Sequence, residues 1–340
     1  MPKVSVILIL YNSKKFIKPV MDAVLAQTHK DLEIIAVVNA DDGAKGILQR
    51  NYPQAKIIEP GQNLGFAGGN NLGIKNSSGE FIQLVNPDLI LEPDYIENLL
   101  KVFENPQVAA ATGKLLRYDF EKNQKTNIID STGVVMSSSG RARDRGQLEQ
   151  DNGQYDYKRE VFGVSGAGPM YRRSALEKVK YCGNNSPRPP LNLRGGETAS
   201  GKAGELYCEY FDEDFVAYWE DVDLSWRLNR AGFKNVYVPE AVAYHGRTAG
   251  QAKGGYLKIF NFIKHHSKLS PVVRRLNYKN HILMYIKNAK FIFHPAFILR
   301  EIAMLGYIIL LEMSTLKVLP QLLRQIPRML KKRAAGTNLG

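Results

Sequence analysis

The run VSVILIL, residues Val4–Leu10, is an almost unbroken series of apolar side chains, many of them β-branched. A short run of this kind is typical of a strand that is buried on both faces of a sheet. A helical pattern follows at residues 16–26, and a second apolar strand follows at Leu32–Val38. This alternation predicts a βαβ unit, in which parallel strands are joined by helices.

The same alternation continues to about residue 115. Further strands are predicted at residues 55–59, 81–85 and 108–114, with helices at 69–75 and 93–105. The rest of the chain is less regular, and the patterns predict long loops at 133–153 and 183–204, a helix at 220–231, and strands at 234–238 and 241–245. The predicted fold class is therefore α/β, with a Rossmann-like, mostly parallel central sheet.

The composition is that of a globular protein with a basic carboxyl-terminal part. Of the 340 residues, 44% are hydrophobic, which is enough to bury a core and excludes intrinsic disorder. The net charge is +13, and the residues from Lys253 onward contain 16 Lys and Arg but only 2 Asp and Glu. This asymmetry favours contact with an anionic membrane surface, with a solvated tail as the alternative. No nucleic-acid recognition motif is present, so nucleic acid is not a predicted partner.

The carboxyl-terminal part has the pattern of amphipathic helices. No uncharged window reaches about 20 residues, the length of a membrane-spanning helix. An apolar stretch at 302–311 is followed by leucines and isoleucines interspersed with Lys317, Arg324 and Arg328. We predict helices that lie in a membrane interface; helices packed on the protein's own core, with a basic face in solvent, are the open alternative.

The sequence also predicts where the protein resides. It has only two cysteines, too few for a disulfide framework, and no cleavable leader pattern. We therefore predict a cytoplasmic protein that is peripheral on the inner face of the cell membrane. Nothing in the sequence predicts the oligomeric state.

Three segments near the ends of predicted strands are candidates for binding a phosphate or a sugar, because ligands bind at the carboxyl ends of parallel strands. Glycines let a backbone approach a ligand closely, and a helix start offers N–H donors to a diphosphate. Turn and capping chemistry also explains each segment when it is taken alone. The candidate residues are Leu10, Tyr11 and Asn12, then Asn39 and Asp41, and finally Asn63, Gly65, Phe66, Gly69 and Asn70 of the glycine-rich segment NLGFAGGNNLG at residues 63–73.

The segment Asn86-Pro87-Asp88 interrupts the apolar strand pattern that begins at residue 81. It is either a plain turn or a site where Asp88 offers an oxygen ligand to Mg²⁺ or Mn²⁺. Such a metal takes most of its ligands from phosphates and water, so few protein ligands are expected. His245, at the end of another predicted strand, is either a satisfied polar residue or a further ligand of that metal.

The segment Trp219-Glu220-Asp221-Val222-Asp223 places three carboxylates in the first turn of a predicted helix. Acidic residues favour a helix amino terminus through the helix dipole, which would account for them without any catalytic role. The alternative is that one carboxylate is a general base that deprotonates an acceptor hydroxyl. An aromatic ring beside it, such as Trp219, suits stacking on the apolar face of a sugar.

Taken in this order, the segments resemble those of family 2 glycosyltransferases of the nucleotide-diphospho-sugar (GT-A) fold, and of their rhamnosyltransferase-like branch. The resemblance runs over residues 3–245. It implies that Asn86 lies near the nucleotide, that Asp88 and His245 bind a divalent metal, Mg²⁺ or Mn²⁺, and that Asp221 is the catalytic base. Glu220 would orient the acceptor beside it. The segment that shapes the acceptor side would include Gly166, Ala167 and Gly168, together with Trp219.

The resemblance implies a metal-dependent, inverting transfer of a sugar from a nucleotide-diphospho-sugar to a lipid-linked or polysaccharide acceptor. Two departures from the family pattern stand out. Val38 occupies the position of an aspartate that usually holds the nucleotide base, and about 25 residues are inserted between Cys182 and Cys208. A disulfide closing this insertion is not expected in a reducing cytosol. The departure at Val38 keeps open a second class of function, a non-catalytic sugar- or nucleotide-binding subunit of a polysaccharide assembly complex.

We therefore predict two regions. Residues 1–250 form a GT-A catalytic domain, with a donor half at about 1–115 and an acceptor half at about 116–250 that carries the insertion 182–208. Residues 251–340 form the basic, amphipathic helical region.

Overall fold

The computed structural model describes residues 2–40, 42–183, 207–247, 263 and 266–336. Apolar Val4–Leu10 forms the first strand, as predicted. The strands are β1 (Val4–Leu10), β2 (Leu32–Val38), β3 (Lys56–Ile58), β4 (Phe81–Val85), β5 (Leu89–Leu91), β6 (Val108–Asp119), β7 (Gln124–Ser131), β8 (Val134–Met136), β9 (Ala142–Asp144), β10 (Glu160–Val161), β11 (Met170–Arg172), β12 (Tyr181–Gly183), β13 (Tyr207–Glu209) and β14 (Lys234–His245). The α-helices are α1 (Ile17–Leu25), α2 (Ala44–Asn51), α3 (Gly65–Lys75), α4 (Tyr95–Val102), α5 (Arg173–Val179), α6 (Glu220–Arg230), α7 (Pro271–Asn288), α8 (Pro295–Leu311) and α9 (Leu319–Gly336).

The central sheet is mixed, which corrects the expectation of a mostly parallel one. Within the described residues its order is β10-β14-β6-β11-β4-β1-β2-β3, with β5 beside β14 and β7 beside β6. Strands β1 to β4 pair in parallel, and so do β6 and β14, whereas β5, β7, β10 and β11 are antiparallel to their neighbours. The four residues between β6 and β7 are too few for a crossover helix, so β7 has to run back along β6.

Helices cover both faces of this sheet. On one face α1, α2 and α4 bury Val20, Leu48 and Leu99 against the sheet. On the other face α3, α5 and α6 bury residues such as Leu176 and Leu224. Strand β1 lies between β2 and β4, so the strand order reverses there. In open α/β sheets a crevice at the carboxyl ends of the strands forms at such a reversal, which places the site beside the ends of β1 and β4.

The glycine-rich segment at residues 63–73 is mostly helix, and the predicted helix at 69–75 is therefore longer than expected. Helix α3 begins at Gly65, four residues before the predicted start. A Cβ at Gly73 would lie 2.5 Å from Cγ2 of Ile7 in β1, so this glycine permits close packing of helix on sheet. Gly65 has a φ of +70°, and a Cβ there would lie 2.6 Å from the carbonyl oxygen of Val216. Close packing therefore accounts for Gly65 and Gly73 without a bound ligand.

The predicted loop at 133–153 differs from the expectation, because it contains the hairpin of β8 and β9. The second predicted loop, 183–204, lies outside the described residues apart from residue 183. The insertion that carries it begins and ends in the antiparallel pair β12 and β13, in which Cys182 and Cys208 lie directly opposite each other and form a disulfide. The expectation of free cysteines is therefore wrong, because strand pairing brings their Cα atoms to 4.1 Å.

The carboxyl-terminal helices pack on the α/β part of the chain. Helices α7 and α9 bury Leu283, Met284, Leu322 and Met329 in a cluster that also contains Phe215. For these two helices the structure therefore favours the alternative of packing on the protein's own core. Helix α8 differs, because most of its apolar side chains are exposed.

Among the described residues, no single helix is long and apolar enough to cross a membrane. The helical segments Pro295–Leu311 and Met313–Ala334 meet the length and composition requirements only as a pair, and they are bent by 116° relative to each other.

Several basic side chains of α7 and α9 point inward to a set of carboxylates that we call the acidic cluster: Glu209, Asp212, Asp214 and Asp223, all buried. Lys287 Nζ lies 2.7 Å from Asp212 Oδ2 and 2.9 Å from Asp223 Oδ2. Lys332 Nζ lies 2.5 Å from carboxylate oxygens of both Glu209 and Asp212. Part of the carboxyl-terminal positive charge is therefore neutralised inside the protein and is not presented to a membrane.

Candidate active site

A cavity of about 430 Å³ opens at the carboxyl edge of the sheet. Its walls come from the ends of β4 and β14, the start of α6, the hairpin of β8 and β9, and α7. With the start of α3 and residues 165–167, the structure brings together residues from seven separate parts of the chain. The predicted site residues that line it are Phe66, Asn86, Asp88, Gly166, Ala167, Trp219, Glu220, Asp221 and His245.

Asp88 and His245 face each other in this cavity. Strand β14 pairs with β5, which follows the turn 86–88, and this pairing sets His245 opposite Leu89. His245 Nε2 consequently lies 3.3 Å from Asp88 Oδ1, and His245 Nδ1 lies 2.8 Å from Asp130 Oδ2. Burial lowers the pKa of His245, but the hydrogen bonds to Asp130 and Asp88 outweigh burial and raise the pKa to about 9. The positive imidazolium offsets the two carboxylates, and a metal bound to Nε2 would displace the proton from that nitrogen.

These side chains fit a divalent metal. Mg²⁺ and Mn²⁺ accept carboxylate oxygens, and Mn²⁺ also accepts imidazole nitrogen. Asp130 holds Nδ1 of His245 and so directs Nε2 toward Asp88, the arrangement that orients a metal-ligating histidine. Among the described residues, no group of three or more His, Cys, Asp or Glu side chains is placed to hold a metal. Two protein ligands are nevertheless compatible with a metal that takes its remaining ligands from a diphosphate and water.

Glu220 and Asp221 lie at the first turn of α6, on the opposite wall of the cavity. The backbone N–H of Gly166 donates a hydrogen bond of 2.8 Å to Asp221 Oδ2. Burial raises the pKa of Asp221, although the hydrogen bond from Gly166 opposes the shift. Burial, together with the neighbouring charge of Asp221, raises the pKa of Glu220 well above its usual range. The raised pKa makes the carboxylate of Asp221 a better base than an exposed aspartate.

The turn that presents these carboxylates has a strained backbone. Val216, Tyr218 and Trp219 all have positive φ values, between 65° and 76°, a region that side chains with a Cβ rarely adopt. The carbonyl of Val216 accepts hydrogen bonds from the N–H groups of Phe66 and Ala67 at the start of α3. The turn is thus fixed on one side by the glycine-rich helix.

Asn280 of α7 fixes the same turn from the other side. Its buried Nδ2 lies 2.8 to 2.9 Å from the carbonyl oxygens of Phe215, Ala217 and Tyr218. Holding three of the four carbonyls of residues 215–218 keeps the strained turn in place. The position of Asp221 therefore depends on a helix about 60 residues further along the chain.

We expect Asn280→Leu to lower the transfer rate at least tenfold and the stability by about 1–3 kcal/mol, because the substitution leaves buried carbonyls unpaired and releases the turn. The measurements are the turnover number and the free energy of unfolding. Val24→Ala, a core change in α1 far along the chain from the turn, is the control for lost stability alone. An unchanged turnover number for Asn280→Leu would contradict the positioning role.

Several predicted donor residues have structural roles in the described chain. Asn39 donates to the carbonyl of Gly65, and Asn70 donates to the carbonyl of Phe66 within α3. The N–H of Gly65 is taken by the side chain of Asn63, and Gly69 packs against Ile9. The prediction that the start of α3 offers its N–H groups to a diphosphate is therefore wrong, because Asn63 and the carbonyl of Val216 occupy those of residues 65–67.

The other predicted residues are placed as follows. Leu10 is a core residue, whereas Tyr11 and Asn12 are exposed at the carboxyl end of β1, the edge at which Asp88 lies. Gly168 does not line the cavity; its carbonyl accepts hydrogen bonds from the buried side chains of Tyr95 and Gln83. Asp41 lies outside the described residues.

Sequence reasoning missed three charged residues of the site and its surroundings. Arg247 lines the cavity and pairs with Asp144 at 2.7 Å, and Asp130 orients His245 from the end of β7. Nor did it foresee that α7 would contribute Asn277, which accepts a hydrogen bond from the indole of Trp219. For Arg247 the sequence offered a signal, its position two residues after the candidate ligand His245. Asp130 and Asn277 lie far from the other site residues in sequence, so no local signal could have identified them.

Residues 5–180 match the family model described as glycosyl transferase family 2. This match covers half of the chain. The chain belongs to glycosyl transferase family 2. The family match ends before α6, so Asp221 and His245 are placed by the structure alone.

Three curated relatives illustrate the range of similarity of this family 2 chain. It is 29% identical over 126 residues to glycosyltransferase GlyA of Streptococcus pneumoniae, which is 36% of this chain and 18% of that protein. It is 30% identical over 128 residues to an uncharacterized glycosyltransferase of Haemophilus influenzae, covering 36% and 39%. An N-acetylglucosaminyl-diphospho-decaprenol L-rhamnosyltransferase of Mycobacterium tuberculosis is 26% identical over 259 residues, which is 71% of this chain and 75% of that protein. The chain spans less than two fifths of the length of the first two.

Two solved structures share the fold. Mannosyltransferase PcManGT from Pyrobaculum calidifontis, in complex with GDP-Man and Mn²⁺, aligns with a TM-score of 0.51 at 17% identity over 98% of this family 2 chain and 74% of that one. GalNAc-T7 with UDP, GalNAc and Mn²⁺ aligns with a TM-score of 0.56 at 9% identity over 84% and 48%. At these identities the likeness establishes a GT-A-like glycosyltransferase fold with a curled mixed sheet and helices.

Proposed function

We propose that this protein is a metal-dependent, inverting glycosyltransferase of cell-surface polysaccharide synthesis. It moves a hexose, with rhamnose as the first candidate, from a nucleotide-diphosphate donor to a lipid-linked or polysaccharide acceptor at the cytoplasmic face of the membrane. One observation carries the proposal: Asp221 and the Asp88–His245 pair line the same cavity of about 430 Å³. The mycobacterial relative, named for a rhamnosyl transfer to a diphospho-decaprenol acceptor, supports the choice of sugar and acceptor.

The residues of the cavity suit a single displacement. Asp221, held at Oδ2 by the N–H of Gly166, accepts the proton of the acceptor hydroxyl. The hydroxyl oxygen then forms a bond to the anomeric carbon from the face opposite the diphosphate, whose bond to that carbon breaks with its electron pair. Configuration at this carbon is inverted, and one ionised carboxylate is enough for the step.

The other groups of the cavity stabilise charge and orient the sugars. A divalent metal bound by Asp88 and His245 would supply a Lewis acid that offsets the charge of the departing diphosphate. Arg247 lines the same cavity and adds a fixed positive charge. Glu220 lies beside Asp221 in the cavity and would orient the acceptor, and Trp219 offers a ring on which the acceptor sugar can stack.

A panel of UDP-, GDP- and dTDP-sugars tests the proposal. We expect one donor to release its nucleotide in the presence of Mn²⁺ or Mg²⁺ and to raise the melting temperature of the protein, because binding to the folded state alone stabilises it. Chelation with EDTA should abolish release, and added Mn²⁺ should restore it. Full release in EDTA would contradict the assignment of Asp88 and His245 as metal ligands. A lack of response to every donor, with and without vesicles, would favour the non-catalytic subunit.

A further inference from the structure

A second cavity, of about 530 Å³, lies beside the first and has a strongly basic wall. Arg143 lines both cavities, so the two adjoin each other at this residue. The described lining of the second cavity contains three arginines and no carboxylate. Its residues are Val135, Met136, Ser137, Ser139, Arg141, Arg143, Ala296 and Arg300.

The three arginines come from two elements that face each other. Arg141 and Arg143 belong to the β8–β9 hairpin and its turn, whereas Arg300 belongs to α8. Arg300 also contacts Glu301 and Nδ1 of His281, which fixes its position. Arg143 is exposed to solvent, and Glu301 does not line the cavity. Guanidinium groups bind phosphate oxygens through paired N–H donors, so this wall suits a ligand with adjacent phosphate groups.

The opening of the second cavity is bordered by the apolar surface of α8. Leu299 is 68% exposed and Ile302 is 63% exposed, and Phe293, just before the helix, is 82% exposed. Large apolar side chains with this much exposure mark a surface that contacts another apolar surface. Ala296 and Arg300 line the cavity from the same helix, so the basic wall and the apolar surface meet along α8.

We propose that the second cavity binds the diphosphate of a lipid-linked acceptor, with the lipid chain lying along the exposed surface of α8. The acceptor sugar then reaches Asp221 in the first cavity, its diphosphate meets Arg141, Arg143 and Arg300, and its lipid chain remains in the bilayer against Leu299 and Ile302. The first cavity suits a sugar, the second suits an anionic group, and the exposed surface of α8 suits an apolar chain. A ligand that fits all three carries its anionic group between the sugar and the apolar chain. This inference rests on the proposed transferase function and identifies its acceptor as a lipid diphosphate.

The test measures binding of the purified full chain to phosphatidylcholine vesicles doped with undecaprenyl diphosphate, by co-sedimentation. We expect the double variant Arg141→Gln/Arg143→Gln to bind these vesicles at least tenfold more weakly, since each charge-assisted contact is worth about a factor of ten. Arg324→Gln, an exposed arginine of α9 outside the cavity, is the matched control and should bind as the unsubstituted protein does. Equal melting temperatures show that the variants are folded.

A second pair of variants tests the apolar surface. Leu299→Ser/Ile302→Ser should weaken binding to the doped vesicles severalfold, and the change is tolerated in the free protein because both side chains are already in solvent. Equal binding to undoped vesicles would overturn the proposal, because the diphosphate would then play no part. Inorganic pyrophosphate should compete with the doped vesicles, because it presents the same adjacent phosphate groups to the arginines, and a lack of competition at saturating pyrophosphate would overturn the proposal too. The proposal would also be overturned if the unsubstituted protein were a dimer, Leu299→Ser/Ile302→Ser were a monomer, and the two bound vesicles equally.

These outcomes are separate from those of the donor panel, because vesicle binding is read without turnover. If the transferase function is wrong, no donor responds, whatever the vesicles show. If only the lipid-diphosphate site is wrong, one donor responds and the arginine variants bind vesicles as the unsubstituted protein does.

Discussion

Asp221→Asn is expected to lower the rate of sugar transfer by about 10²–10⁴-fold, the usual contribution of a general base, while donor binding stays nearly unchanged. The amide has the shape of the carboxylate, and its oxygen can accept the hydrogen bond from the N–H of Gly166, although its NH2 group cannot accept the bond that the N–H of Val222 donates to the other carboxylate oxygen. It has no lone pair basic enough to take the proton of the acceptor hydroxyl. The loss should therefore lie in the turnover number and leave the affinity for the donor intact.

The measurement compares turnover and donor affinity for the variant and the unsubstituted enzyme. Glu240→Gln, an exposed carboxylate paired with Arg159 on the surface, is the control and should change neither. The pH profile gives a second readout: because burial raises the pKa of Asp221, the rate should fall on acidification at a pH above the usual range of an aspartate. Retained turnover in Asp221→Asn would remove this residue as the base.

Lys332→Met is expected to lower the free energy of unfolding by about 3–5 kcal/mol, the cost of leaving buried charges without a partner. The ammonium group of Lys332 lies within 3.1 Å of carboxylate oxygens of Glu209, Asp212 and Asp214. Methionine fills a similar volume but leaves these carboxylates with less positive charge. We expect the disturbance to reach Asp223 in the catalytic helix, since Lys287 contacts both Asp212 and Asp223.

Chemical denaturation at neutral pH measures this effect. Lys331→Met changes the neighbouring, exposed lysine and should alter stability by less than about 0.5 kcal/mol. Burial and the nearby charge of Asp212 raise the pKa of Glu209 to about 7. Adding Glu209→Gln to Lys332→Met should therefore restore part of the lost stability. Equal stability of Lys332→Met and Lys331→Met would show that the acidic cluster does not depend on this lysine.

The residues that sequence reasoning placed correctly in the cavity share one property: their signal is local. Asp88 and His245 follow apolar strands directly, and Asp221 opens a helix behind two aromatic residues. Since parallel strands end at one edge of a sheet, local signals of this kind are enough to bring such residues together. The alternation of strands and helices in the first 115 residues likewise predicted β1, β2 and β4 with their observed bounds.

What sequence reasoning missed depends on contacts between distant parts of the chain. Asn280 reads as an ordinary polar residue of an amphipathic helix, and only the fold brings its amide to the turn before Asp221. The glycines of α3 were interpreted as ligand contacts because a glycine that permits close packing on Ile7 has the same local signature. The basic carboxyl-terminal part was assigned to a membrane because Lys287 and Lys332 carry no local sign that their partners are buried carboxylates.

The acidic cluster also bears on the order in which the chain can fold during synthesis. Asp212 leaves the ribosome 120 residues before Lys332, a delay of roughly ten seconds at ordinary rates of translation. Lys287, the other counter-ion of Asp212, follows after 75 residues, so the cluster gains its positive charges one at a time. The sheet can fold in this time, but the cluster is complete only when α9 has been made. A chain whose synthesis stops before α9 is therefore expected to fold its sheet while the acidic cluster keeps uncompensated buried charge.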